Sequence, residues 1–125
     1  MKANDLQIGG EHYRSEMQHW DVVEKYGIGY LEGCSSKYLL RWKKKNGLED
    51  LQKSLHYAVK LRELHVFNAR GPRGYVPDMV LQEFIEVNAI EPEEAAAISV
   101  LFQWKTEADL LEASEIIQRI IDRER

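Results

Sequence analysis

A single cysteine, Cys34, leaves no partner for an intrachain disulfide and no means of building a cysteine-based zinc site within one chain. A reducing cytoplasm is the compartment this suggests. The N-terminus lacks a hydrophobic targeting core and no apolar run approaches the length of a membrane span, so a soluble chain without a membrane partner is expected. Catalytic signatures are absent too: there is no Gly-x-x-x-x-Gly-Lys-[Ser/Thr] phosphate loop, no dinucleotide fingerprint, no Gly-x-Ser-x-Gly and no His-Glu-x-x-His. His56 and His65 stand nine residues apart on one predicted helix, a rotation of about 900° that sets them on opposite sides, so they share no metal there. No metal site is expected from spacing.

What remains is ample for a core, with 44% hydrophobic residues in 125. The net charge of −4 argues against a general nucleic-acid binder, although it conceals an asymmetry. Residues 1 to 70 carry a balance of +3 and residues 71 to 125 one of −7. The two parts are suited to complement each other within a protomer or between protomers of a homo-oligomer.

Residues 37 to 57 are the most chemically loaded stretch and read as helix, tight turn, helix. On a helical wheel, Arg41 and Lys44 fall within about 40° of Lys37, and Lys45 lies near 80°. Leu31, Tyr38 and Trp42 occupy the adjoining arc, so one helix presents a cationic stripe beside an aromatic one. Cations bind phosphate oxygens and rings stack on bases, so the pairing suits a nucleotide. The same pattern also describes core aromatics flanked by solvated lysines. The first helix is expected from about Tyr30 to Lys45, closed by Asn46-Gly47 as a left-handed cap, and the second from about Leu48 to Phe67, opened by Glu49 and Asp50. Packed antiparallel, the two would gather Lys37, Arg41, Lys44, Lys53 and His56 into one cleft.

Before this hairpin, Gly9-Gly10 followed by His12 and Tyr13 reads as a turn or a phosphate-contacting loop. Residues 19 to 26 read as a short helix whose Trp20, Val23 and Tyr26 pack on the hairpin, with Asp21 favoured near the positive end of its dipole. After the hairpin, residues 69 to 77, with two prolines and two glycines, form a linker or ordered loop. Arg70 and Arg73 are within reach of a phosphate from it or are simply exposed loop arginines. Residues 78 to 125 predict three more helices, started by Asp78, by Glu91-Pro92 and by Thr106, and expected to complete the core or an oligomer interface. The fold class is therefore all-α: a helical domain over residues 1 to 68 centred on an antiparallel hairpin from about 30 to 67, with C-terminal helices added in the manner of a helical bundle.

Five blocks occur in order: Ile8-Gly9-Gly10-Glu11-His12-Tyr13; His19-Trp20-Asp21-Val22; Tyr30-Leu31-Glu32-Gly33; Lys37-Tyr38 with Arg41 to Gly47; and Glu49-Asp50-Leu51 with Lys53 and His56-Tyr57. In these the chain resembles the SaV-like family of short proteins encoded mainly by phages and prophages, over roughly residues 7 to 65. One member of that family is a nucleotide kinase that acts on deoxynucleoside monophosphates without a P-loop. The resemblance implies nucleotide binding and a kinase activity in the cytoplasm of a host cell. On that reading Lys37, Arg41, Lys44 and Lys53 bind phosphates, and His12, Tyr13, Tyr38 and Trp42 contact the base or ligand. His56 moves a proton or adds a phosphate contact, and Asp50 holds Mg²⁺ brought with the nucleotide or orients a cation. The alternatives are a non-catalytic protein that sequesters a nucleotide signal, cyclic or linear, and a protein that binds a host protein.

Overall fold

The computed structural model describes residues 17–125, and among these there are helices and no strand. Gly9, Gly10, His12 and Tyr13 lie outside the described residues. The order is α1 (His19–Lys25), α2 (Tyr30–Arg41), a 3₁₀ turn (Trp42–Lys44), α3 (Leu48–Asn68), α4 (Asp78–Val87), α5 (Pro92–Gln103) and α6 (Glu107–Glu124). The four longer helices close a ring: α2 packs on α3, α3 on α6, α6 on α5, and α5 back on α2. The protein is an all-α helical bundle. No described helix is long and apolar enough to cross a membrane.

Local chemistry sets the helix ends. The Thr106 hydroxyl accepts the Asp109 amide at 3.3 Å while the Asp109 carboxylate accepts the Thr106 amide at 3.1 Å, a reciprocal cap that starts α6 where expected. Asp21 accepts the Gln18 amide at 3.0 Å and so opens α1. Asp78 was expected to cap α4; Pro77 holds that position instead, and the Asp78 carboxylate accepts the Gln103 side-chain amide at 2.7 Å. On α1 the inward residue is Val22, 2% exposed, whereas Trp20 is 54% exposed and does not share the packed face.

The hairpin differs from expectation at its turn. The α-helical part of α2 ends at Arg41, and the next residues tighten into a 3₁₀ turn that carries the Trp42 side chain into the core. Gly47 takes a positive φ of +59° with ψ −129°, a backbone open to glycine and outside the left-handed helical region expected of the cap, and its amide donates to the Trp42 carbonyl at 2.8 Å. Deep in the hairpin Ser35 and Ser54 exchange hydroxyl-to-carbonyl hydrogen bonds at 2.9 and 2.8 Å, which satisfies both buried hydroxyls and lets the helices approach closely.

One core spans the chain on both sides of residues 69–77. Leu39, Trp42, Leu51 and Ala58 of the hairpin pack in the same cluster as Ile98, Phe102, Ile117, Ile120 and Ile121. The intervening segment is an ordered loop fixed at three points. Arg70 pairs with Glu32, the Val76 amide donates to the Phe102 carbonyl at 3.2 Å, and the Gln103 side chain donates to the Val76 carbonyl at 2.8 Å. Gly74 is required here, because its φ is +72° and a Cβ would collide with the backbone of Tyr26 and Gly27. The loop thereby packs against the α1–α2 corner.

Candidate functional site

Helix α2 buries Glu32, Gly33, Ser35, Ser36 and Leu39. Its opposite arc, Tyr30, Cys34, Lys37, Tyr38 and Arg41, spans about 100° and faces outward. Antiparallel packing of α3 brings Lys53 and Tyr57 beside it. The Arg41 guanidinium lies 4.7 Å from the Tyr38 ring centroid and the Lys53 ammonium 5.5 Å from it. Tyr57 stacks on Tyr38 with centroids 5.9 Å apart and planes at 15°, and Tyr30 meets Tyr57 in a T-shaped contact at 6.2 Å. The hairpin thus carries a row of three tyrosines, Tyr30, Tyr57 and Tyr38 in order, with two cations bound to the end ring, Tyr38.

Asp50 is placed otherwise than expected. Its side chain is fully buried and accepts Arg41 Nε at 3.2 Å, the Asn46 amide at 3.2 Å and the Asn46 side chain at 3.3 Å. Burial on its own would raise this carboxyl; the hydrogen bonds from Arg41 and Asn46, with the Arg41 charge, overcome it and hold the group below the ordinary aspartate value. Asp50 therefore ties the turn to Arg41 and does not fit as a ligand for Mg²⁺. Among the described residues no group of three or more His, Cys, Asp or Glu side chains converges on a metal position.

The other predicted residues divide. Lys37, Arg41, Tyr38 and Lys53 share the α2–α3 face. Trp42 is 7% exposed and belongs to the core, so it is no stacking platform for a base. Lys43 turns away, over the Trp42 ring at 5.4 Å and toward Glu94 of α5 at 4.0 Å, and Lys44 is exposed on the 3₁₀ turn beyond the arc. The lysine run is spread because the tightened turn rotates its members out of the α-helical register. His56 is exposed about 60° round α3 from Lys53, on the side away from Tyr57. It does not join the stack.

Three features went unforeseen. Glu32 is fully buried, bound by both Arg70 terminal nitrogens at 2.7 Å and by the Trp104 indole at 2.8 Å, so Arg70 is a structural clamp and not a phosphate contact. A Cβ on Gly29 would strike the Arg70 guanidinium and the Glu32 carboxylate, which accounts for that glycine. His19 Nε2 lies 2.7 Å from the Ser36 hydroxyl, which itself donates to the Glu32 carbonyl at 2.8 Å; the imidazole is therefore the donor. Burial, with the Lys37 charge adding to it, lowers the His19 pKa from 6.5 to about 4. With Ser36 itself fully buried, this serine–histidine pair is a packing contact without substrate access. Tyr30, 71% exposed, is the most open ring of the row. Its place in the Lys37–Arg41 arc is legible from the wheel once the start of α2 is fixed.

No protein family, curated protein or solved structure matches this chain.

Proposed function

We propose that the α2–α3 face binds a nucleotide by its phosphates and that the protein is a deoxynucleoside monophosphate kinase working without a P-loop. The observation that carries the binding half is the setting of Arg41. Asp50 takes two of its five N–H donors, Tyr38 supports its face, and the side chain remains 27% exposed beside Lys53. A guanidinium held this way meets a phosphate with little further loss of freedom. Lys37 and Lys53 add charge on either side, and neutralising phosphate charge is most of what phosphoryl transfer asks of a protein. The kinase half rests on the resemblance of five sequence blocks to the SaV-like family, and host-cell cytoplasm is the compartment that reading implies. Mg²⁺ would arrive with the phosphates, since Asp50 is engaged elsewhere.

A second reading, capture of a nucleotide without turnover, is favoured by two placements. Asp50 is consumed by the fold and His56 stands off the stack, so neither of the two residues expected to serve the transfer step joins the cations of this face. Calorimetric titration with deoxynucleoside monophosphates, paired with a transfer assay using a nucleoside triphosphate donor, separates the readings. Lys37→Glu/Lys53→Glu is the control variant, because neither lysine supports the buried Asp50. The kinase reading expects binding, turnover to the diphosphate, and affinity lowered at least about tenfold in the double variant. Binding without turnover supports capture. An unchanged affinity in the double variant would remove the α2–α3 face from either account.

A further inference from the structure

We infer that Tyr30 is the surface on which the nucleobase stacks. The inference rests on the nucleotide-binding reading of the α2–α3 face, and it replaces Trp42 and Tyr38, the two rings of the hairpin's aromatic stripe. Trp42 is in the core. Tyr38 has Arg41, Lys53 and Tyr57 gathered around its ring, so a base could reach it only by displacing the groups that make the site cationic. Tyr57 is half-buried between its two neighbours.

Tyr30 has neither restriction. It is 71% exposed, and its T-shaped contact with Tyr57 positions the ring while leaving most of it in solvent. Lys37 and Arg41 lie seven and eleven residues further along α2, within about 20° of Tyr30 on the wheel and roughly 10 and 16 Å along the axis. A flat ring at one end of a stripe and cations at the other match the polarity of a nucleotide, with its base at Tyr30 and its phosphates toward Lys37, Arg41 and Lys53. A ring already fixed by a neighbour also has little rotational freedom to lose on stacking.

The test is calorimetric titration of wild type, Tyr30→Ala and Tyr30→Phe with a deoxynucleoside monophosphate and with base-free 2-deoxyribose 5-phosphate. Wild type is expected to prefer the nucleotide. Tyr30→Ala should weaken nucleotide binding at least about tenfold and leave the sugar phosphate unchanged, and Tyr30→Phe should stay within roughly twofold of wild type for both. Since Tyr30 is exposed, circular dichroism should show all three chains equally folded. Nucleotide binding by wild type with equal affinity in Tyr30→Ala overturns this inference and leaves the nucleotide site standing. Binding of neither ligand by wild type removes the nucleotide site and this inference with it.

Discussion

Arg41 serves two masters, a buried carboxylate and a half-buried ring, and its neighbour Lys53 serves only the surface. That difference decides which of them is safe to substitute. Asp50 is fully buried and depends on Arg41 and Asn46 for its hydrogen bonds, so removing the guanidinium leaves an under-compensated charge in the core. Lys53 pairs with Glu49 at 3.7 Å across exposed surface, a contact of little worth. Urea unfolding should therefore find Arg41→Ala less stable than wild type by about 3 kcal/mol and Lys53→Ala within about 0.5 kcal/mol of it. Equal stabilities for the two variants would show that Asp50 does not need its arginine. The wheel alone ranked these cations together, since it sees the arc that a residue occupies and not the buried acid behind it.

Among the elements, those with local signals were legible and those fixed by distant partners were not. Helix α6 announces itself through Thr106, Asp109 and the stripe Leu110, Ala113, Ile116, Ile117, Ile120 and Ile121, every member of which is buried. The end of α2 was misjudged, because the lysine run and Asn46-Gly47 suit a helix terminus while burial of Trp42 demands a tighter turn earlier. The clamp on Glu32 joins residues 38 and 72 positions away, which no local pattern could pair. Docking of α1 is likewise tertiary and should be pH-dependent. Its His19 has a folded pKa of about 4 against 6.5 for the free side chain, so the unfolded chain takes up the proton first. Stability from this contact is complete above pH 6.5 and is lost as the pH falls toward 4, by about 3 kcal/mol in all. His19→Gln, which keeps a neutral donor toward Ser36, should flatten this part of the stability profile between pH 6.5 and 4.5 in urea titrations. A variant whose profile still parallels wild type would assign the acid sensitivity to other groups.

For the molecule as a whole, the charge asymmetry seen in the sequence is partly satisfied within the chain. Arg62 of α3 binds Glu107 of α6 at 2.8 Å, and Lys43 approaches Glu94 of α5. Lys37, Arg41 and Lys53 lie apart from those pairs on the hairpin's outer face, which concentrates positive charge in a chain of net charge −4. The bundle was readable from helix periodicity, and so was the cationic character of this face. The identity of its open ring depended on which aromatics the core consumed. Whether a nucleotide selects the native state is most directly read from melting temperature, because a ligand that binds only the folded chain raises it. Thermal unfolding in the presence of millimolar deoxynucleoside monophosphates, nucleoside triphosphates or cyclic dinucleotides, with and without Mg²⁺, should show a rise with at least one of them in wild type. That rise should be lost in Lys37→Glu/Lys53→Glu. An unchanged melting temperature with every nucleotide would contradict the account and leave the tyrosine row as a charged surface with no nucleotide to hold.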